Sequence, residues 1–173
     1  MTSALGPYGA PFRKISGALY LTSALLIFIP IVDFVTSIVP YLPGSSKWRF
    51  ASGALFAGFL LTPLLGIALA MIVAGLMNHR FVLRWIGILS ILVAVGLVGA
   101  CALLALDIIE LRSTAESGVQ SAIVLSGVRA IFKNLVMAGS LVVIGLACRS
   151  ATGLMEPPRA ETPMAPIVGT PRR

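Results

Sequence analysis

WIGILSILVAVGLVGACALLAL, Trp85–Leu106, runs for 22 residues without a charged side chain. At 1.5 Å per residue, a helix of that length rises roughly 33 Å, enough to cross a hydrocarbon core of about 30 Å. Inside lipid each backbone amide must find its partner within the segment or in a closed barrel, and a single oily run of this length does so as a helix. The rest of the chain has the same character: 58% of its 173 residues are apolar and 11% are charged. With a mean hydropathy of +1.01, it falls well short of the quarter or so of charged residues that keeps an ordinary domain in water.

Three further oily runs flank this one. Ile15–Val39 is a first span of 25 residues whose one charged side chain is Asp33, and Phe50–Met77 is a second of 28 residues. Pro63 removes a backbone donor from the second run and is expected to kink it near its middle. The third span extends the opening stretch to about 82–111, and a fourth covers about 121–149, with Arg129 and Lys133 in its first half. Pro40, Pro43, Gly44, Ser45 and Ser46 break the chain between the first two spans. Asn78, His79 and Arg80 leave so short a link that spans two and three must form an antiparallel hairpin. The expected fold is therefore all-α: a membrane-spanning four-helix bundle running up-down-up-down over residues 15–149. Residues 1–14 form a lead ending in Arg13 and Lys14, and residues 150–173 an extended tail with five prolines between Pro157 and Pro171. The first run is too long for the apolar core of a secretory signal peptide, and no small-residue cleavage site follows it.

Thirteen Lys and Arg against six acids give a net charge of +7, and most of these charges stand at span ends or in the tail. Basic residues so placed set topology and attract anionic headgroups. Nucleic-acid binding is not expected, because no platform interleaves aromatic with basic residues. Arg13, Lys14, Arg80, Arg84, Arg149 and Arg159 gather on one side, which predicts cytoplasmic termini and a bacterial inner membrane. Lys47, Arg49 and Arg112 fall on the other side with Asp107, Glu110 and Glu116. Trp48 and Trp85 are expected as anchors at the two interfaces.

A charge within a span costs about 2.5–3.5 kcal/mol on insertion scales and calls for a partner or a task. Asp33 lies roughly 9 Å beneath the end of its span. Asp107 and Glu110 share one helix face, as do Arg129 and Lys133. Counting back from Arg149 puts Arg129 near the outer surface and Lys133 one turn deeper, level with Asp33. The expectation is an intramembrane ion-pair cluster of Asp33, Asp107, Glu110, Arg129 and Lys133 that fastens the first, third and fourth spans. Proton or cation handling by Asp33, and snorkelling of these side chains to the headgroups, are the alternatives. Ala54 with Gly58, Gly66 with Ala70, and Gly96 with Ala100 are spaced four apart and read as close-packing faces.

The sequence offers no chemistry of the usual kinds. The single histidine, His79, lies in a turn, so no span supplies an axial ligand for haem or chlorophyll. No metal-ligand spacing, activated serine or phosphate loop occurs. Cys101 and Cys148 stand apart and read as packing residues. The chain is expected to be no enzyme and to hold no cofactor beyond structural lipids; a peripheral contact with quinone, carotenoid or other pigment stays open. Four spans with one acid, Asp33, in the first give an outline that resembles the small multidrug-resistance transporters; no residue role follows from it. The reading that accounts for the missing chemistry and short loops is a non-catalytic accessory or assembly subunit of a larger respiratory or photosynthetic membrane complex. Its partners would be other integral membrane subunits and lipids. A small ion- or proton-coupled transporter or channel using Asp33 is the alternative.

Overall fold

The computed structural model describes residues 9–154, with side chains for residues 14–153 except Ser117. The Pro-rich tail expected over 150–173 falls mostly outside the described residues. All regular structure among them is helical: α1 (Gly9–Ser37), α2 (Ser46–Phe59), α3 (Leu61–Leu76), α4 (Arg80–Thr114) and α5 (Ser117–Leu154). Lys14–Ser37, Arg80–Thr114 and Gly118–Gly153 are each long and apolar enough to cross a membrane, and α2 with α3 passes the same test as a pair bent by 41°. Leu21, Phe28, Leu103, Leu125 and Phe132 are among the many large apolar side chains on the outer surface, which only lipid or protein can cover.

The second oily run is thus two helices. Pro63 has no N–H for the Phe59 carbonyl, and its ring would collide with that carbonyl in a straight helix. The chain turns at Leu60, and Leu64 N–H resumes the ladder to the Leu60 carbonyl at 3.1 Å. Ser45 starts α2 four residues earlier than the hydropathy suggests: its backbone is extended and its hydroxyl accepts the Trp48 N–H, as an N-cap does. Asn78 closes the link to α4 in the left-handed region, at φ 57°. There the His79 N–H reaches the Ala74 carbonyl at 2.9 Å, a helix stop that Asn tolerates better than most residues.

The principal packing is α4 on α5. On α4 the buried positions are Leu83, Gly87, Ser90, Ala94, Leu97, Cys101, Leu104, Asp107 and Leu111, steps of three and four that average the 3.5-residue period of a coiled-coil seam. α5 answers with Gly127, Ala130, Asn134, Ala138, Leu141, Gly145 and Cys148. The pair is antiparallel: Gly127 meets Ile108 near one end, and Gly145 and Gly87 meet near the other. Both cysteines are free and buried in this seam.

α2 and α3 pack against both members of this pair, and α1 packs on α3 and, more lightly, on α2. α1 touches neither α4 nor α5 among the described residues. A closed ring of four helices is therefore not what these residues form. α2, α3, α4 and α5 make a core of three rods, and α1 lies on the far side of α3. Gly66 sets the attachment: a Cβ there would stand 2.9 Å from the Ser23 carbonyl oxygen, and the Ser23 hydroxyl donates to the Gly66 carbonyl at 2.6 Å.

Candidate functional site

The polar side chains collect at two ends of the helices. At the end where α1 finishes and α2 begins, the first turn of α2 aims Arg49 across at α4. Its Nη2 donates to Asp107 Oδ1 at 2.7 Å and its Nε to the same oxygen at 3.1 Å, while Nη1 donates to the Pro43 carbonyl at 3.2 Å. Glu110 stands 3.6 Å from the same guanidinium. The Asp107 side chain is 6% exposed and that of Arg49 40%. A planar fork holding a carboxylate with two N–H groups is the geometry that suits arginine at a partly dry site.

Trp48, the residue before, is half-buried. Its indole N–H donates to the Ile38 carbonyl at 3.0 Å, and its ring meets Tyr41 edge-on. It ties the loop between α1 and α2 to the end of α1. At the opposite end, Trp85 is half exposed beside Phe81, and the Tyr20 hydroxyl lies 3.0 Å from His79 Nδ1.

The expected five-residue cluster is not assembled. Asp107 and Glu110 pair with Arg49, and these are the ion pairs among the described residues. Asp33 is exposed on α1, which reaches neither α4 nor α5. Arg129 and Lys133 are exposed on the far face of the molecule, beside a groove of about 290 Å³ walled by Ala54, Ala57 and Ala130. The physical reason lies in the seam. Asp107 occupies one of its buried positions, whereas Arg129 and Lys133 flank the buried row of Ala130 and Asn134 and so point away from α4.

Phe34 packs on Phe56 and Phe59, and Ala57 packs with Leu104 and Ala130, so Asp33 and Lys133 stand at about one level on opposite faces. Of the expected packing residues, Gly66 is a close approach to α1, while Gly58 and Gly96 have open space where a Cβ would stand. Ala54 and Ala100 are half-buried and Ala70 likewise. The close approaches on α4 and α5 are instead Gly87, Gly127 and Gly145, and on α2 Gly53.

Between α1 and α4 the chain leaves a lateral groove of about 320 Å³, lined by Phe34, Phe56, Leu103 and Leu104 with the Arg49–Asp107 pair at one end. Asn134 lies at its floor, 0% exposed; its amide makes no hydrogen bond to a nitrogen or oxygen, and its polar neighbour is the Cys101 thiol. The neighbouring Cys101 thiol is turned to the Ile131 carbonyl, 3.8 Å away. A buried amide in this condition costs about 1–3 kcal/mol. In the sequence Asn134 is one uncharged polar residue beside Lys133, and Arg49 falls just ahead of the second oily run. Ser45 as an N-cap would have put Arg49 on a helix facing Asp107.

No group of His, Cys, Asp or Glu among the described residues is placed to hold a metal ion. No family model, curated protein or solved structure matches the chain.

Proposed function

We propose that this chain is a non-catalytic accessory or assembly subunit of a larger membrane protein complex. In this reading α2 and α3 cross the bilayer together as one bent span, giving four crossings, with both termini on the cytoplasmic side of a bacterial inner membrane. The observation that carries the proposal is that charged groups costly in lipid have no ion-pair partner among the described residues. Asp33 faces outward from α1, Arg129 and Lys133 face outward from α5, and the Asn134 amide is buried with no hydrogen bond to a nitrogen or oxygen. A charged group at such depth is normally satisfied by protein or water; here a neighbouring helix along either charged face would satisfy it.

The test is the size of the particle extracted from its native membrane in a lipid-retaining polymer. A complex several times the mass of one chain is expected, and Asp33→Asn or Lys133→Met should release the chain from it while the isolated variants keep their helical spectrum. A particle containing one chain and lipid alone, unchanged by either substitution, would overturn the proposal.

One observation favours a second reading, a small ion- or proton-coupled transporter or channel. The break at Leu60 lies at the level of Asp33, and broken spans with an acid beside them are features of transporter sites. Ion flux into liposomes that disappears with Asp33→Asn would decide for it.

A further inference from the structure

At the end of the molecule away from the Arg49–Asp107 pair, the first turns of α4 and the last turns of α5 border a cleft of about 560 Å³. Arg84 and Arg149 stand on its two walls, with Thr152 beside Arg149 and Ile88, Ile91 and Leu92 beneath. Neither arginine takes part in an ion pair among the described residues. The described acids, Asp33, Asp107, Glu110 and Glu116, all lie toward the other end, so nothing described neutralises this cleft. We propose that it binds the phosphate-bearing headgroup of an anionic phospholipid, with the two arginines on the phosphate oxygens and the upper methylenes of an acyl chain against Ile88, Ile91 and Leu92.

Three features converge on that ligand. Trp85 is half exposed next to Arg84 and edge-on to Phe81, an arrangement that suits the headgroup boundary, where aromatic rings collect. The arginines stand at the mouth and the apolar residues one to two turns farther along α4, the order in which a phospholipid presents phosphate and then hydrocarbon. A guanidinium fork matches phosphate geometry, and basic pockets between spanning helices at a cytoplasmic surface are suited to anionic lipid. The cleft uses no residue of the groove between α1 and α4, so it stands whether or not the subunit reading does.

The full chain, purified in a neutral detergent, would be titrated with equal amounts of phosphatidylglycerol and phosphatidylcholine and the retained lipid counted by native mass spectrometry. With about fivefold per arginine near the surface, a preference of about thirtyfold for phosphatidylglycerol is expected. Arg84→Gln with Arg149→Gln should reduce it to near unity, and Arg84→Lys with Arg149→Lys should retain part of it. Arg112→Gln, at the opposite end, should leave it intact. A thermal melt of each variant confirms that it is folded. Equal retention of the two lipids, a preference that survives the double glutamine variant, or displacement of the lipid by millimolar inorganic phosphate would each overturn the proposal.

Discussion

Arg49 shows how a single residue joins two helices. Its guanidinium spans the Asp107 carboxylate on α4 and the Pro43 carbonyl ahead of α2, so Arg49→Ala would strand a carboxylate that is 6% exposed. A buried charge deprived of its partner is more costly than the pair was favourable. Thermal unfolding in detergent should therefore show a clear drop in midpoint for Arg49→Ala and little change for Arg112→Ala, whose side chain is exposed at the end of α4. Asn134 predicts the opposite sign. Replacing a buried amide that has no hydrogen bond to a nitrogen or oxygen by a hydrocarbon of similar length removes a desolvation penalty, so Asn134→Leu should stabilise the isolated chain by about 1–2 kcal/mol. A loss of stability in the same melt would mean that the amide already has a partner. Asp33, Asp107 and Glu110 were recognisable from the sequence as charges in an oily setting. That Arg49 answers Asp107 and Glu110, and no described cation answers Asp33, was not, because the choice depends on how each helix is rotated about its axis.

Among the elements, α4 and α5 are held by a seam in which glycines admit the neighbouring helix. A Cβ on Gly145 would lie 2.8 Å from an Ile91 side-chain carbon and 3.2 Å from the Gly87 carbonyl oxygen. Gly145→Leu should thus force the helices apart and cost about 1–3 kcal/mol as an overpacked core position does, whereas Gly96→Leu, on the open face, should be nearly neutral; the two midpoints compared in one detergent check this. The bent pair makes a geometric prediction. With Pro63→Ala the Phe59 carbonyl regains a donor and the 41° bend should relax, so spin labels at Lys47 and Met77 would report a longer distance between them. That the second oily run would be interrupted at Pro63 was legible, since the missing N–H is a local fact. The buried stripe on α4 alternates steps of three and four, so a pair spaced four apart such as Gly96 and Ala100, a spacing that recurs by chance in a Gly- and Ala-rich chain, does not locate it.

For the molecule as a whole, the described surface is oily along its length, carries Asp33 on one face with Arg129 and Lys133 on the other, and is basic without acids at the end holding Arg80, Arg84 and Arg149. Both native cysteines are buried, so cysteines introduced at Ser46 and Ser150 would report topology: in intact cells an impermeant thiol reagent should modify the first and spare the second until the membrane is opened. Modification of Ser150→Cys in sealed cells would reverse the proposed orientation. The amino-acid sequence alone determined that the chain is helical, where its oily helices run and which of them Pro63 interrupts, because hydropathy, backbone hydrogen bonding and proline act over a few neighbouring residues. Only the tertiary structure decided that α1 stays apart from α4 and α5, that Asp107 pairs with Arg49, and that Asn134 is buried with no hydrogen bond to a nitrogen or oxygen. Those outcomes depend on how each helix is rotated about its own axis, which the contact of glycines and bulky side chains across helices sets.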